Sequence, residues 1–179
     1  INQKQIPAAN IRIINGELCL DEEYRNWRKL SIVHEKWGSG AFDGYFVHTF
    51  NKLVPREKYF DQHPEYFSMI DGKRVPYGQL CLSNPEVFNI TVNKLKEEFA
   101  KHPDIKYWSV SQNDNYECCQ CEKCQKADKE EGAPSGSLIR FVNNVAKMFP
   151  DKIITTLAYQ YSRKPPRVTK PEKNVMITL

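Results

Sequence analysis

Cysteines are concentrated in one short segment of the sequence, where Cys118, Cys119, Cys121 and Cys124 fall within seven residues. This spacing lets the thiolates of Cys119, Cys121 and Cys124 converge on one tetrahedral ion, which is the geometry of a structural zinc site. The fourth ligand is either Cys118 or a distant residue such as Cys81, because no separate CxxC motif lies elsewhere in the sequence. The cluster therefore predicts a structural zinc ion that holds the surrounding loop.

Disulfide bonds in an exported protein are the competing interpretation of the same cysteines. One bridge would lie inside the cluster and one would join it to Cys81, since the adjacent Cys118 and Cys119 would rarely pair with each other. Either kind of cross-link would hold the long loop that follows Asp114. The remaining cysteine, Cys19, is expected to be a buried free thiol.

Three predicted strands each end on residues that can hydrogen-bond to a sugar. His48 follows one strand, Asn113 and Asp114 follow the next, and Tyr159 follows the third. In parallel α/β folds the functional side chains lie at the carboxyl ends of the strands and in the loops after them. Asp114 is the candidate general acid or base, or the group that orients a substrate amide, while Asn113, His48 and Tyr159 would bind sugar hydroxyls.

Structural roles are the alternative for each of these strand-end residues. The run from Asn113 to Asn115 can close Asx turns at the start of a loop. A lone histidine after a strand is more often a structural residue than a ligand. Tyr159 and Tyr161 share one face of an extended segment, so both can pack into the interior.

The elements that would carry these residues alternate between helices and strands. Asp21 is a predicted helix N-cap, and apolar spacing extends that helix to Val33. Further helices are predicted over residues 85–100 and 135–149, with strands over residues 44–48, 105–111, 153–159 and 174–179, and with a long polar loop after Asp114. This alternation is typical of βα units on a parallel sheet that is buried on both faces.

Composition places the chain among ordinary globular domains. It has 179 residues, of which 40% are apolar and 27% charged. The 26 Lys and Arg residues exceed the 22 Asp and Glu residues by four, and they form no basic stripe of the kind that binds nucleic acid. No apolar run approaches the roughly 20 residues that a membrane-spanning helix needs. We therefore expect neither a nucleic-acid partner nor a membrane span.

The length and the element order together predict part of a TIM barrel. A complete (β/α)8 barrel needs about 250 residues, and this chain opens on Ile1, as an excised segment would, and ends on a predicted strand. We expect an incomplete (β/α)8 TIM-barrel-like fold over residues 41–179, after an N-terminal lead-in with one helix over residues 1–40, in a single domain. A small open sheet is the competing architecture.

From His48 to Leu179 the sequence resembles the bacterial domain of unknown function 4838 family. The motifs that carry the resemblance are individually weak and jointly specific; they are His48, Leu53-Val54-Pro55, residues 63–67, residues 71–74, residues 79–84, residues 109–114, Cys119-x-Cys121-x-x-Cys124, and Thr156-Leu157-Ala158-Tyr159 before Pro165-Pro166.

This resemblance implies a glycoside-hydrolase-like barrel in exported proteins, periplasmic or cell-surface, of glycan-degrading bacteria. Some relatives are similar to endo-β-N-acetylglucosaminidases, which implies an oligosaccharide or glycan substrate that contains N-acetylglucosamine. It also implies a second catalytic carboxylate beyond Leu179. The alternative functions are a non-catalytic carbohydrate-binding module and a cysteine-rich metal-binding interaction module.

Overall fold

A computed structural model describes residues 21–30 and 45–179 of the chain. The first helix, α1 (Glu22–Arg28), begins after Asp21, whose side chain accepts a hydrogen bond from Tyr24 N at 2.6 Å. It ends at Lys29, where the backbone turns left-handed with φ 55°. The predicted continuation to Val33 lies outside the described residues.

The next region is built from short elements that lead to a hairpin. Its elements are α2 (Phe50–Leu53), α3 (Arg56–Tyr59), a 3-10 turn (Pro64–Tyr66), β1 (Met69–Ile70) and β2 (Lys73–Arg74). The two strands pair antiparallel around Asp71 and Gly72, whose φ values are 48° and 78°. Two consecutive positive φ angles define a type I′ turn, which is why the Asp-Gly pair fits this hairpin.

Two long helices and a parallel sheet form the second half. The elements follow in the order α4 (Pro85–Lys101), β3 (Tyr107–Ser109), α5 (Glu122–Glu131), α6 (Ser135–Lys147), β4 (Ile153–Leu157), a 3-10 turn (Gln160–Ser162) and β5 (Val175–Thr178). The sheet order is β3-β4-β5, and all its strands are parallel. α5 occupies part of the predicted loop after Asp114, and Gly132 ends it with φ 68°. None of the described helices is both long enough and apolar enough to cross a membrane.

The main hydrophobic core lies where α4 and α6 pack on the sheet. Its fully buried members include Val87, Leu95, Trp108, Leu138, Val142 and Ile154. Trp108 packs in this core, whereas the side chain of Trp27 is 72% exposed.

The predicted incomplete (β/α)8 barrel is wrong for the described residues. They form a mixed α/β fold with one sheet of three strands and one of two. Residues 45–48 do not continue the sheet as a strand, and at His48 the backbone turns left-handed with φ 53°. β4 and β5 are joined by residues 158–174, which contain a single 3-10 turn instead of the helix that a barrel places after each strand.

A buried carboxylate holds this unusual connection against the helices. Glu131, at the end of α5, has a fully buried side chain that accepts hydrogen bonds from Arg140 Nε at 2.9 Å and from the amides of Val168 and Thr169, both at 2.9 Å. Hydrogen bonds from Thr169, together with Arg140, lower the pKa of Glu131 to about 2. One ionised group therefore joins α5, α6 and the segment that leads to β5.

We predict that Glu131→Gln lowers the thermal unfolding temperature at pH 7 by roughly 10 °C, because Arg140 would lose its buried partner. The folded-state pKa of Glu131 lies below the ordinary value of 4.5. Its contribution is therefore present above about pH 5 and is lost as the pH falls toward 2. Melting curves followed by circular dichroism between pH 3 and 7 should show this loss in the parent chain and a flatter profile in the variant.

Glu130→Gln is the matched control, since Glu130 also pairs with Arg140, at 2.9 Å, but is half exposed. Its melting temperature should stay within about 2 °C of the parent value. Equal melting temperatures for the two variants would contradict the role assigned to Glu131.

Candidate functional site

The carboxyl ends of β3 and β4 are tied together by a buried amide. Gln112 is fully buried, and its Nε2 donates to the carbonyls of Leu157 and Tyr159, both at 3.2 Å, and to Ser162 Oγ at 2.6 Å. Because the amide spans the two strand ends, the residues that follow each strand are held at one edge of the sheet. This edge, formed by residues 48, 112–117 and 159–160, is called the carboxyl edge below.

His48 and Tyr159 form an aromatic pair on the carboxyl edge. His48 Nδ1 lies 2.8 Å from the carbonyl oxygen of Gln112. A carbonyl can only accept, so Nδ1 carries a proton and donates in this contact. The ring centroids of His48 and Tyr159 are 5.8 Å apart, and 38% of Tyr159 is exposed. The structure therefore brings these two predicted residues together.

Asp114 is exposed and reaches the loop after β4. Its Oδ1 accepts a hydrogen bond of 2.7 Å from Gln160 Nε2. Gln160 has a left-handed backbone with φ 51°, so the segment after Tyr159 is not extended. The prediction that Tyr159 and Tyr161 share one face of an extended segment is therefore wrong. Sequence reasoning missed Gln160 as a partner of Asp114, since it lies 46 residues away along the chain.

Asn113 joins helix α2 to the loop around Gly78 through its side chain. Its Oδ1 accepts from Asn51 N at 3.2 Å, and its Nδ2 donates to the Gly78 carbonyl at 2.9 Å. Both ends of the amide are thus engaged within the protein, which makes Asn113 a positioning residue for the neighbouring Asp114 in this structure.

Gln79 is a second positioning residue, and no local sequence pattern indicates this role. It is 1% exposed, and its Oε1 accepts from Asn113 N at 2.8 Å. Its Nε2 lies 2.9 Å from the Asn113 carbonyl and 2.8 Å from Asn115 Oδ1. One amide therefore holds the residues on both sides of Asp114.

The predicted metal ligands converge into one cluster. The Sγ atoms of Cys81, Cys119, Cys121 and Cys124 all lie within 4.8 Å of one another, and Cys81 Sγ and Cys121 Sγ are 3.6 Å apart. Cys81, Cys119 and Cys124 are buried, and Cys121 is partly buried. These residues form a small core of their own with Met69, separate from the main core. We call the four cysteines the thiolate cluster.

Cys118 stays outside the thiolate cluster, which leaves Cys81 as the distant fourth member. The five cysteines of the described residues are all free thiols, so the described structure contains no disulfide of the kind considered above. Burial raises the pKa of Cys118 and so favours its neutral thiol. Cys19 lies outside the described residues.

Hydrogen-bonding groups surround the sulfur atoms. Ser83 Oγ lies 3.5 Å from the sulfurs of Cys81 and Cys121 and 3.2 Å from that of Cys124. Arg74 Nη1 lies 3.8 Å from Cys119 Sγ. Hydrogen bonds from the neighbouring thiols, Ser83 and Arg74 hold the pKa of Cys81 far below its usual range. Hydrogen bonding within the cluster, together with burial, raises the pKa of Cys119 to about 11 and holds the pKa of Cys124 above its usual range. The site therefore favours one negatively charged sulfur, at Cys81.

We predict that Gln79→Ala loosens the backbone around Asp114, because it leaves the partly buried N–H of Asn113 without its acceptor and removes the amide that donates to the Asn113 carbonyl and to Asn115 Oδ1. Hydrogen exchange of the amides of residues 113–117, measured by mass spectrometry, should speed up by about tenfold or more. Gln120→Ala is the control, since Gln120 is exposed and its Oε1 accepts from Asp71 N. Equal exchange in the two variants would show that Gln79 does not position this loop.

Comparisons with known proteins bear on the whole chain. The comparison with curated proteins found no match, and the comparison with solved structures found none either. The sequence model of one family, described as "Domain of unknown function (DUF4838)", matches residues 1–179. This match includes every motif on which the resemblance was based. The chain therefore belongs to the domain of unknown function 4838 family.

Proposed function

We propose that this domain binds glycans at the carboxyl edge and that a zinc ion in the thiolate cluster stabilises the loop behind that edge. The observation that carries the proposal is the loop between β3 and α5. Its first residues present Asp114 to solvent, and its last residues supply Cys119 and Cys121 to a cluster whose sulfurs all lie within 4.8 Å. Recognition and metal binding would thus share one loop.

The donor set fits zinc. Zn–S bonds of about 2.3 Å in a tetrahedron place neighbouring sulfurs about 3.8 Å apart. The Cys81–Cys121 distance of 3.6 Å is close to this value and far longer than a disulfide bond of about 2.05 Å. Four soft thiolates favour zinc over magnesium or calcium, which prefer oxygen.

A structural role follows from the number of ligands. Four cysteines would complete the tetrahedral shell and leave no position for water or substrate. Arg74, beside Cys119, would offset part of the negative charge of four thiolates around a divalent ion. Ser83 would hydrogen-bond to the sulfurs, as outer-shell groups do in metal sites.

The thiolate cluster has a path to solvent on one side. A cavity of about 300 Å³ is lined by Cys81 and Cys121, together with Arg74, Ser83 and Lys123. Cys119 and Cys124 do not line it. This opening gives an entry route for the metal and for a small chelator.

We predict that the purified chain holds one zinc ion and that Cys119→Ser loses it. Removal of the metal, by this variant or by a membrane-permeant chelator, should lower the unfolding temperature by roughly 10 °C or more, since the energy of metal binding is folding energy. Metal content is measured by plasma mass spectrometry, and unfolding by calorimetry.

Cys118→Ser is the matched control, because Cys118 neighbours Cys119 in sequence but lies outside the thiolate cluster. It should keep the metal and the parent melting temperature. A metal-free parent chain, or disulfides among the four cysteines in non-reducing peptide mass spectra, would contradict the zinc assignment.

The carboxyl edge supplies groups of the kind that bind a sugar. The Asp114 carboxylate, the His48 ring and the exposed Tyr159 ring stand around residues that are held by buried amides. Ligand sites combine aromatic surface with a few fixed polar groups. A sugar offers matching features, since its hydroxyl groups donate to such acceptors and its C–H face packs on a ring.

Hydrolysis is a second candidate function, favoured by the exposure of the Asp114 carboxylate and by its single donor partner, Gln160. Glycosidases use two carboxyl groups, one of which acts as the acid. Asp114 would serve as the acid or would orient a substrate acetamide. The family resemblance supports a glycan with N-acetylglucosamine as the substrate.

We predict that Asp114→Asn weakens binding of an N-glycan core oligosaccharide by about tenfold or more, because hydrogen bonds to a charged acceptor are stronger than those to an amide. Calorimetry measures the affinity, and reducing-sugar release measures hydrolysis. A variant that binds normally but no longer hydrolyses would assign Asp114 to catalysis.

Asp104→Asn is the control for charge, since Asp104 is exposed and precedes β3, at the opposite end of the strand. It should bind as the parent does. If Asp114→Asn also keeps the affinity and the activity of the parent chain, Asp114 has no part in glycan recognition.

A further inference from the structure

Exposed tyrosines gather at the carboxyl edge. In the described part of the chain, the exposed large aromatic side chains are Trp27, Tyr77, Tyr116 and Tyr159. The three tyrosines all lie in or against the loops that follow β3 and β4, and Tyr77 is 69% exposed. Single exposed aromatic residues need no explanation, but a group of them beside a candidate site marks a binding surface.

The backbone of Tyr77 is fixed to the residues that flank Asp114. Asn115 Nδ2 donates to the Tyr77 carbonyl at 3.0 Å, and Asn113 Nδ2 donates to the Gly78 carbonyl at 2.9 Å. Two consecutive carbonyls are thus held by the side chains on either side of Asp114. Tyr77 and Asp114 therefore keep a constant relation to each other.

The ring of Tyr77 is fixed as well. The Arg56 guanidinium carbon lies 4.5 Å from the ring centroid, in a cation–π contact. The backbone of Arg56 is held in turn, because its N–H donates to Asn51 Oδ1 at 3.2 Å and Asn51 N donates to Asn113 Oδ1 at 3.2 Å. These contacts lead back to Asn113. The Tyr77 segment is therefore connected to the Asp114 loop twice, once through its backbone and once through its ring.

We propose that the free face of the Tyr77 ring is a stacking platform for a pyranose ring whose hydroxyl or acetamido group reaches Asp114. The proposal rests on the proposed glycan-binding function and names the surface that gives it affinity. Arg56 covers one face of the ring, and the high exposure of Tyr77 leaves the other face open to a ligand. The platform needs no rearrangement to bind, because both its ring and its backbone are already held.

A sugar fits this surface better than a purely apolar ligand does. The Tyr77 segment is hydrogen-bonded to the residues on both sides of Asp114, whose carboxylate accepts from the Gln160 amide. A pyranose has an apolar C–H face for the ring and polar groups on its rim for Asp114. An apolar ligand would leave the carboxylate desolvated without a partner.

The test uses tetra-N-acetylchitotetraose and the pentasaccharide core of N-glycans as probes, with affinities measured by calorimetry. Tyr77→Ala should weaken binding of the probe that the parent chain binds by about tenfold, a loss in the range of aromatic stacking energies. Tyr77→Phe keeps the ring and should stay within about twofold of the parent value. In 3-fluorotyrosine-labelled protein, the fluorine resonance that Tyr77→Phe removes should shift when the probe is added.

Trp27→Ala is the matched control, since Trp27 is 72% exposed and also has a guanidinium, from Arg28, 5.4 Å from its ring. It should leave the affinity unchanged. Normal binding by Tyr77→Ala, in a parent chain that binds a probe, would overturn the platform and leave the glycan function standing. Failure of the parent chain to bind either probe would overturn the glycan function, and the platform with it.

Discussion

Three consecutive buried residues, Gln79, Leu80 and Cys81, hold the loop on which the candidate site depends. Their side chains are 1%, 1% and 4% exposed, but they serve different parts of the protein. Leu80 packs in the main hydrophobic core, Gln79 binds the backbone beside Asp114, and Cys81 enters the thiolate cluster. The loop from residue 113 to 121 has little regular structure, so its polar backbone groups need such external partners.

This arrangement links the proposed metal site to the proposed glycan site. Cys81 and Gln79 are separated by one residue, so a shift of the first moves the second. A bound zinc ion would fix Cys81 relative to Cys119 and Cys121, and would thereby keep Gln79 in reach of the residues around Asp114. The metal would act through the rigidity of a short segment that is already anchored by Leu80, without any contact with the ligand.

Local sequence patterns predicted most of the helices and strands, whereas contacts between residues far apart in the chain determine how these elements assemble. The helices α4 and α6 were predicted from the sequence, and both contribute buried side chains to the main core. The helix α5 was missed because its N-cap, Cys121, makes no capping hydrogen bond and its sequence has few apolar residues. The barrel was wrong because the connection before β5 is stabilised by Glu131, whose partners lie 37 and 38 residues away.

The candidate site shows the same division between local and distant causes. His48, Asp114 and Tyr159 became candidates because each follows a predicted strand, although residues 45–48 form no strand in the structure. Gln79, Gln112 and Gln160, by contrast, act through partners that lie far along the chain. Amides suit this role because they both donate and accept, and their burial does not carry the solvation cost of a charge. Positioning by neutral groups leaves the Asp114 carboxylate exposed with Gln160 as its donor, so its remaining acceptor capacity faces solvent.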